Sequence, residues 1–146
     1  GGTMKPVHEH FAVLLCAALI SFLCGASGCS STGVSLSDCA AVLTDSDNGA
    51  TPTIAVNKTL CVKLPAQMGT GYSWHVKNAG NALKQKGAPE TESIPGKRMP
   101  GGAEYQIFRF TAQSKGSADV EIHYLRPWLK EQQPAKVFKC KATVVE

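Results

Sequence analysis

The chain has 146 residues, 43% hydrophobic and 18% charged, which suits one folded domain with a short appendage and excludes an intrinsically disordered chain. Lys and Arg outnumber Asp and Glu by 15 to 11. The basic residues are nevertheless scattered between Lys58 and Lys141, with no stripe of the kind that binds nucleic acid.

Residues 1–29 read as a leader outside the fold, with Gly1-Gly2-Thr3 ahead of Met4 as an expression remnant. The apolar run at residues 11–23 spans 13 residues, too short to cross a bilayer as a helix and right for the apolar part of a secretory signal. It leads into Ala26-Ser27-Gly28-Cys29-Ser30-Ser31, small residues before a cysteine. That pattern resembles a bacterial lipoprotein cleavage box, with Ala26 where Leu is usual. Lipidation of Cys29, ordinary cleavage and an uncleaved anchor all send the domain out of the cytoplasm. The expected product is a periplasmic or outer-surface lipoprotein, or a secreted protein. A membrane is expected to be touched only through a lipid on Cys29. Residues 30–37, rich in Ser, Thr and Gly, read as a flexible tether ahead of a domain at 38–146.

Beyond the leader the domain keeps Cys39, Cys61 and Cys140, an odd number in a compartment that permits disulfides. One pair and one buried thiol are expected. No Cys-x-x-Cys pair is present for zinc, so neither a metal nor a cofactor is expected.

Alternation with period two recurs along the domain, the mark of half-buried strands. A weak strand at Ala41 to Thr44 comes first. Ile54 and Val56 share a parity that resumes, after a turn at Asn57-Lys58, with Leu60, Val62 and Leu64. Cys61 and Lys63 then point outward. Tyr72, Trp74 and Val76 follow, with Ser73, His75 and Lys77 opposite. Residues 77–102 are polar and rich in Gly and Pro, a long connection with room for one short irregular strand. In 105–111, Tyr105 and Ile107 share one parity and Phe108 and Phe110 the other, which requires a bulge or burial on both faces. Val120, Ile122 and Tyr124 form the next strand and residues 137–145 the last. The pattern predicts an all-β, immunoglobulin-like sandwich of about seven strands with essentially no helix. Cys140 shares the inward parity of Phe138, Ala142 and Val144. A Cys61–Cys140 bridge is therefore not expected, and Cys39 is the partner left for either.

A sandwich alone names no function; its connections carry the chemistry. Three stand out: Leu64-Pro65-Ala66-Gln67-Met68-Gly69-Thr70-Gly71-Tyr72-Ser73-Trp74, Pro100-Gly101-Gly102-Ala103-Glu104 and Tyr124-Leu125-Arg126-Pro127-Trp128. In this order they resemble the chagasin family of inhibitors of papain-like cysteine proteases. That family carries Asn-Pro-Thr-Thr-Gly followed by an aromatic, a small residue and Trp, then Gly-x-Gly-Gly, then Arg-Pro-Trp after an aromatic. The resemblance covers about residues 41–146. Gln67-Met68-Gly69 replaces the family's Asn-Pro-Thr, which exchanges a stiff turn for a looser one, and Met99 stands at the first glycine of the second motif.

The resemblance implies a reversible inhibitor, monomeric and without catalysis, that closes the protease cleft with three loops at one end of the sandwich. The protease-binding residues it implies are Gln67, Met68, Gly69, Thr70, Gly71, Pro100, Gly101, Gly102, Arg126, Pro127 and Trp128. The physics agrees with that role. Glycines beside Thr70 permit close backbone approach and positive φ, Gly101-Gly102 can lie along a groove, and Trp128 behind Pro127 is a rigid aromatic anchor.

Each residue also has a plainer reading. Trp74, Tyr72 and Tyr124 lie on the inward parity and suit the core, Arg126 can brace its loop as well as touch a partner, and Thr70 and Gly101-Gly102 suit ordinary turns. The rival functions are two. A hydrolase would need a dyad such as Cys61 with His75 or His123, and the scattered carboxylates offer it no pair. An envelope lipoprotein for adhesion or assembly could use the same sandwich edge.

Overall fold

The computed structural model describes residues 2–3, 33–97 and 100–146. The signal-like segment, Cys29, the first part of the tether and Met99 lie outside them. The strands are β1 (Cys39–Thr44), β2 (Thr53–Ala55), β3 (Thr59–Ala66), β4 (Ser73–Asn78), β5 (Leu83–Gln85), β6 (Glu90–Ser93), β7 (Glu104–Ala112), β8 (Gly116–Leu125) and β9 (Lys136–Val145). Among the described residues the helical pieces are single 3-10 turns at Asp45–Asp47 and Met68–Thr70.

One sheet runs β1-β3-β7, with β5 and then β6 following each other along the far edge of β7; the other runs β2-β9-β8-β4. Among the described residues the expected immunoglobulin-like sandwich forms with nine strands where about seven were legible. The additions lie in the polar 77–102 connection. β6 is Glu-Thr-Glu-Ser on a sheet edge, so it has no apolar alternation to announce it. The turn foreseen at Asn57-Lys58 is made with Asn57 at φ +66°, a left-handed conformation that Asn tolerates.

Inward parity fills the core: Leu60, Val62, Leu64, Phe108 and Phe110 of one sheet meet Val120, Ile122, Phe138 and Val144 of the other. Each such burial is worth about 1.5–3 kcal/mol. The parity switch in β7 is burial on both faces and not a bulge. Its pairing with β3 runs without a register shift, and Ile107, outside the core cluster, is fully buried on the other face.

On that outer face a disulfide joins Cys39 to Cys61, while Cys140 is a free thiol buried in the core between the sheets. Cys61 has the outward parity read from the sequence, yet it is fully buried. Parity fixes the face of a sheet, not what covers it. Arg109 helps cover it: Nη1 donates to Asp38 Oδ1 at 2.6 Å and stands 3.4 and 3.6 Å from the Cys39 and Cys61 sulfurs. Its Nη2 donates to the Ser35 carbonyl at 2.6 Å, so a fixed contact reaches back into the stretch read as tether. Burial opposes the charge of Arg109, but hydrogen bonds and attraction from Glu90 and Asp38 outweigh it and raise its pKa.

Burial, helped by Asp119, pushes the Cys140 thiol up to about 11. In the native protein near neutral pH, peptide mapping after iodoacetamide should find Cys140 unmodified, and modified once the chain is unfolded. Replacing Cys39 and Cys61 with serine should lower unfolding stability by about 3 kcal/mol, given a closed loop of 22 residues' separation. A urea midpoint unchanged by the double substitution would contradict the pairing.

Candidate functional site

The strand register delivers the loops to one place. β3 ends and β7 begins at the pair Ala66↔Glu104, so the first loop (67–72) and the described part of the second (100–103) share one end of that sheet. β4 begins and β8 ends at Ser73↔Leu125, which puts the third loop (126–135) beside the exit of the first. The three motifs, far apart in sequence, converge as a single edge.

A column of side chains anchors this edge to the core. Trp74 is buried between the sheets, its main-chain N–H donating to Gln106 Oε1 at 2.6 Å and its indole N–H to the Pro65 carbonyl at 2.9 Å. Its ring centroid lies 4.9 Å from that of Tyr124, whose ring stacks on Tyr72 at 5.3 Å. The Arg126 guanidinium lies 4.5 Å from the Tyr72 ring centre. Two hydrogen bonds tie the first loop to the column. The Gln67 N–H donates to the Tyr124 hydroxyl at 2.9 Å, and Arg126 Nε donates to the Thr70 carbonyl at 3.2 Å.

The core readings of Trp74 and Tyr124 therefore hold, and Arg126 acts as a brace. Gln106 and Gln132, which donates to the Tyr72 hydroxyl at 3.4 Å, were not singled out from sequence. The available signal for Gln106 was a lone amide inside an aromatic-aliphatic strand.

The first loop turns through Met68–Thr70 and closes with the Gly71 N–H donating to the Met68 carbonyl at 2.9 Å. Gly71 sits at φ +80°, and a Cβ there would lie 2.8 Å from Trp128 Cζ2. Gly69 is required for a different reason: a Cβ would come within 2.7 Å of the Gly101 Cα, so the first and second loops touch backbone to backbone. The Thr70 hydroxyl is turned inward, donating to the Gln67 carbonyl at 2.6 Å. Gln67, Met68, Gly69, Thr70, Pro100, Gly101, Pro127 and Trp128 are exposed, and Gly71, Gly102 and Arg126 are half-buried. Trp128 keeps 61% of its surface exposed, next to the exposed Leu129. An aromatic held against a glycine with its outer face bare is a preformed anchor.

The dyad considered for a hydrolase is absent as chemistry, since the Cys61 sulfur is in the disulfide. His75 and His123 are cross-strand neighbours, hydrogen-bonded to Ser73 and Glu121 respectively. The His123 bond is the main cause holding the Glu121 carboxyl below its usual range.

Residues 53–142 match the family model described as chagasin family peptidase inhibitor I42, a stretch that contains all three loops. The chain belongs to the chagasin family of peptidase inhibitors. Chagasin of Trypanosoma cruzi is 27% identical over 89 residues, 59% of this chain and 81% of that protein. The crystal structure of a cysteine protease inhibitor from Entamoeba histolytica superposes with a TM-score of 0.64 at 20% identity, over 72% of this chain and 96% of that one. That likeness concerns the fold. The solution structure of amebosin superposes at 0.59 with 26% identity, over 72% and 97% of the two chains. In this chagasin-family chain β1 and Cys39 lie ahead of the matched stretch, joined to it by the disulfide.

Gly71→Val should weaken peptidase inhibition more than Trp128→Ala. It strains the left-handed turn and also expels the indole from its seat. Inhibition constants, with thermal unfolding measured alongside, give the order; equal or weaker effects of Gly71→Val would show that the seat does not matter.

Proposed function

We propose that the three loops together close the active-site cleft of a papain-like cysteine protease, reversibly and one chain to one enzyme. The observation that carries this reading is the joining of the loops, Gly69 on Gly101 and Trp128 on Gly71, at one end of a rigid sandwich.

A cleft that cleaves peptides takes its substrate extended, so that one carbonyl faces the nucleophilic thiolate. The first loop offers a tight turn ending in a left-handed glycine, a narrow backbone wedge that fills the floor without laying out an extended scissile bond. The second loop lies alongside it against the groove wall. The third supplies Trp128, a large rigid aromatic whose desolvation gives most binding energy per residue. Because Arg126 and Tyr124 already hold the first loop in place, little ordering entropy is lost on docking. The chain acts by occupation of the cleft and contributes no reactive group.

The reading extends to location. The Cys39–Cys61 disulfide fits an oxidising compartment, in keeping with export as a periplasmic or outer-surface lipoprotein or a secreted protein.

Titration of the chain into papain should give stoichiometric, reversible inhibition. Trp128→Ala should raise the inhibition constant by about 30-fold, corresponding to about 2 kcal/mol, while Thr70→Ala costs less because its hydroxyl faces its own loop. Absence of inhibition across a panel of papain-like proteases would overturn the proposal.

A further inference from the structure

We propose that Met68 is the specificity-determining side chain of the first loop and selects proteases whose pocket beside the nucleophile is apolar. The inference rests on the cleft-blocking reading above and goes on to name the kind of cleft.

It follows from what the loop has left to offer. Gly69 and Gly71 have no side chain, and both are held there by close approach, to Gly101 and Trp128. The Thr70 hydroxyl is spent on the Gln67 carbonyl. Gln67 is anchored at the foot of the loop through its main-chain N–H to Tyr124, and its exposed side chain is a polar amide, which leaves Met68 as the loop's apolar one. Met68 opens the 3-10 turn at the tip with 38% of its surface exposed. The described surface exposes five large hydrophobic residues, and three of them, Met68, Trp128 and Leu129, stand on this edge.

An exposed methionine fixed on a rigid turn is unusual chemistry for a surface. An unbranched, polarizable chain adapts to an apolar pocket of irregular shape and loses contact with one that is polar. The glycine contact between the first and second loops sets where the thioether stands when the wedge is seated, so the backbone is stiff while the probing side chain is soft. An apolar side chain of this kind discriminates pockets by about 10–200-fold.

The test uses the full chain and its Met68→Glu, Met68→Lys and Trp128→Ala variants against two papain-like proteases. One has an apolar pocket flanking its cysteine; the other has a carboxylate at the base of that pocket. Each variant's thermal unfolding is measured, and that of the exposed Met68 variants should match the parent's. Met68→Glu and Met68→Lys should each weaken inhibition of the apolar-pocket enzyme by about tenfold or more. Met68→Lys should also shift preference toward the carboxylate enzyme by a similar factor, a change that a merely structural role would not produce. If both Met68 variants inhibit both enzymes as the parent does while Trp128→Ala loses inhibition, the role of Met68 is refuted and the cleft-blocking reading survives. If the parent inhibits neither enzyme, both fall together.

Discussion

The stack of Arg126, Tyr72, Tyr124 and Trp74 is what turns a generic sandwich into a tool with a working edge. Its inner end is the buried Trp74, whose main-chain N–H and indole N–H are satisfied by Gln106 Oε1 and the Pro65 carbonyl across the sheets. Its outer end is a guanidinium that grips the Thr70 carbonyl. Between them the Tyr124 hydroxyl accepts from the Gln67 N–H. The first loop is thus tied at both feet to side chains of β8 and the residue that follows it, and β8 also launches the third loop. Buried polar groups such as Gln106 are costly unless paired. Pairing with the main chain of Trp74 makes this one a specific crossbar between the sheets.

Glycine contacts set the division of labour at the edge. Where loops must touch each other, at Gly69 on Gly101 and at Gly71 beneath Trp128, the chain has removed its side chains. Where the edge faces outward, it carries Met68, Trp128 and Leu129. Preorganisation of that kind reduces the entropy lost on binding and leaves affinity to a few large apolar groups. The disulfide and Arg109 lie on the outer face of the β1-β3-β7 sheet, where they hold the start of the domain and take no part in this edge.

Much of this was legible because strand parity is a short-range rule. Leu60-Val62-Leu64, Val120-Ile122-Tyr124 and Phe138-Cys140-Ala142-Val144 all face the core as their alternation requires. The three loops were legible because their residues are of types, Gly, Pro and Trp, that turns and anchors need. For β5 and β6 only room for one short irregular strand was legible, since an edge strand lying on β7 is specified by its neighbour and not by its own pattern. The cover over Cys61 was not legible, as it depends on Arg109 lying 48 residues away. Thr70 illustrates a further limit. Its position in the motif suggests an outward contact, but its hydroxyl closes the turn on the Gln67 carbonyl, a rotamer choice that residue type alone does not fix.

On the proposed reading, this edge occupies the catalytic floor of a papain-like protease. The most direct measurement is the rate at which the active-site cysteine of papain is alkylated by iodoacetamide, with and without a saturating excess of the chain. Occupation of the cleft predicts strong suppression of alkylation while the bound chain stays uncut on mass analysis. Alkylation at the free-enzyme rate, or cleavage within 67–72, would contradict it.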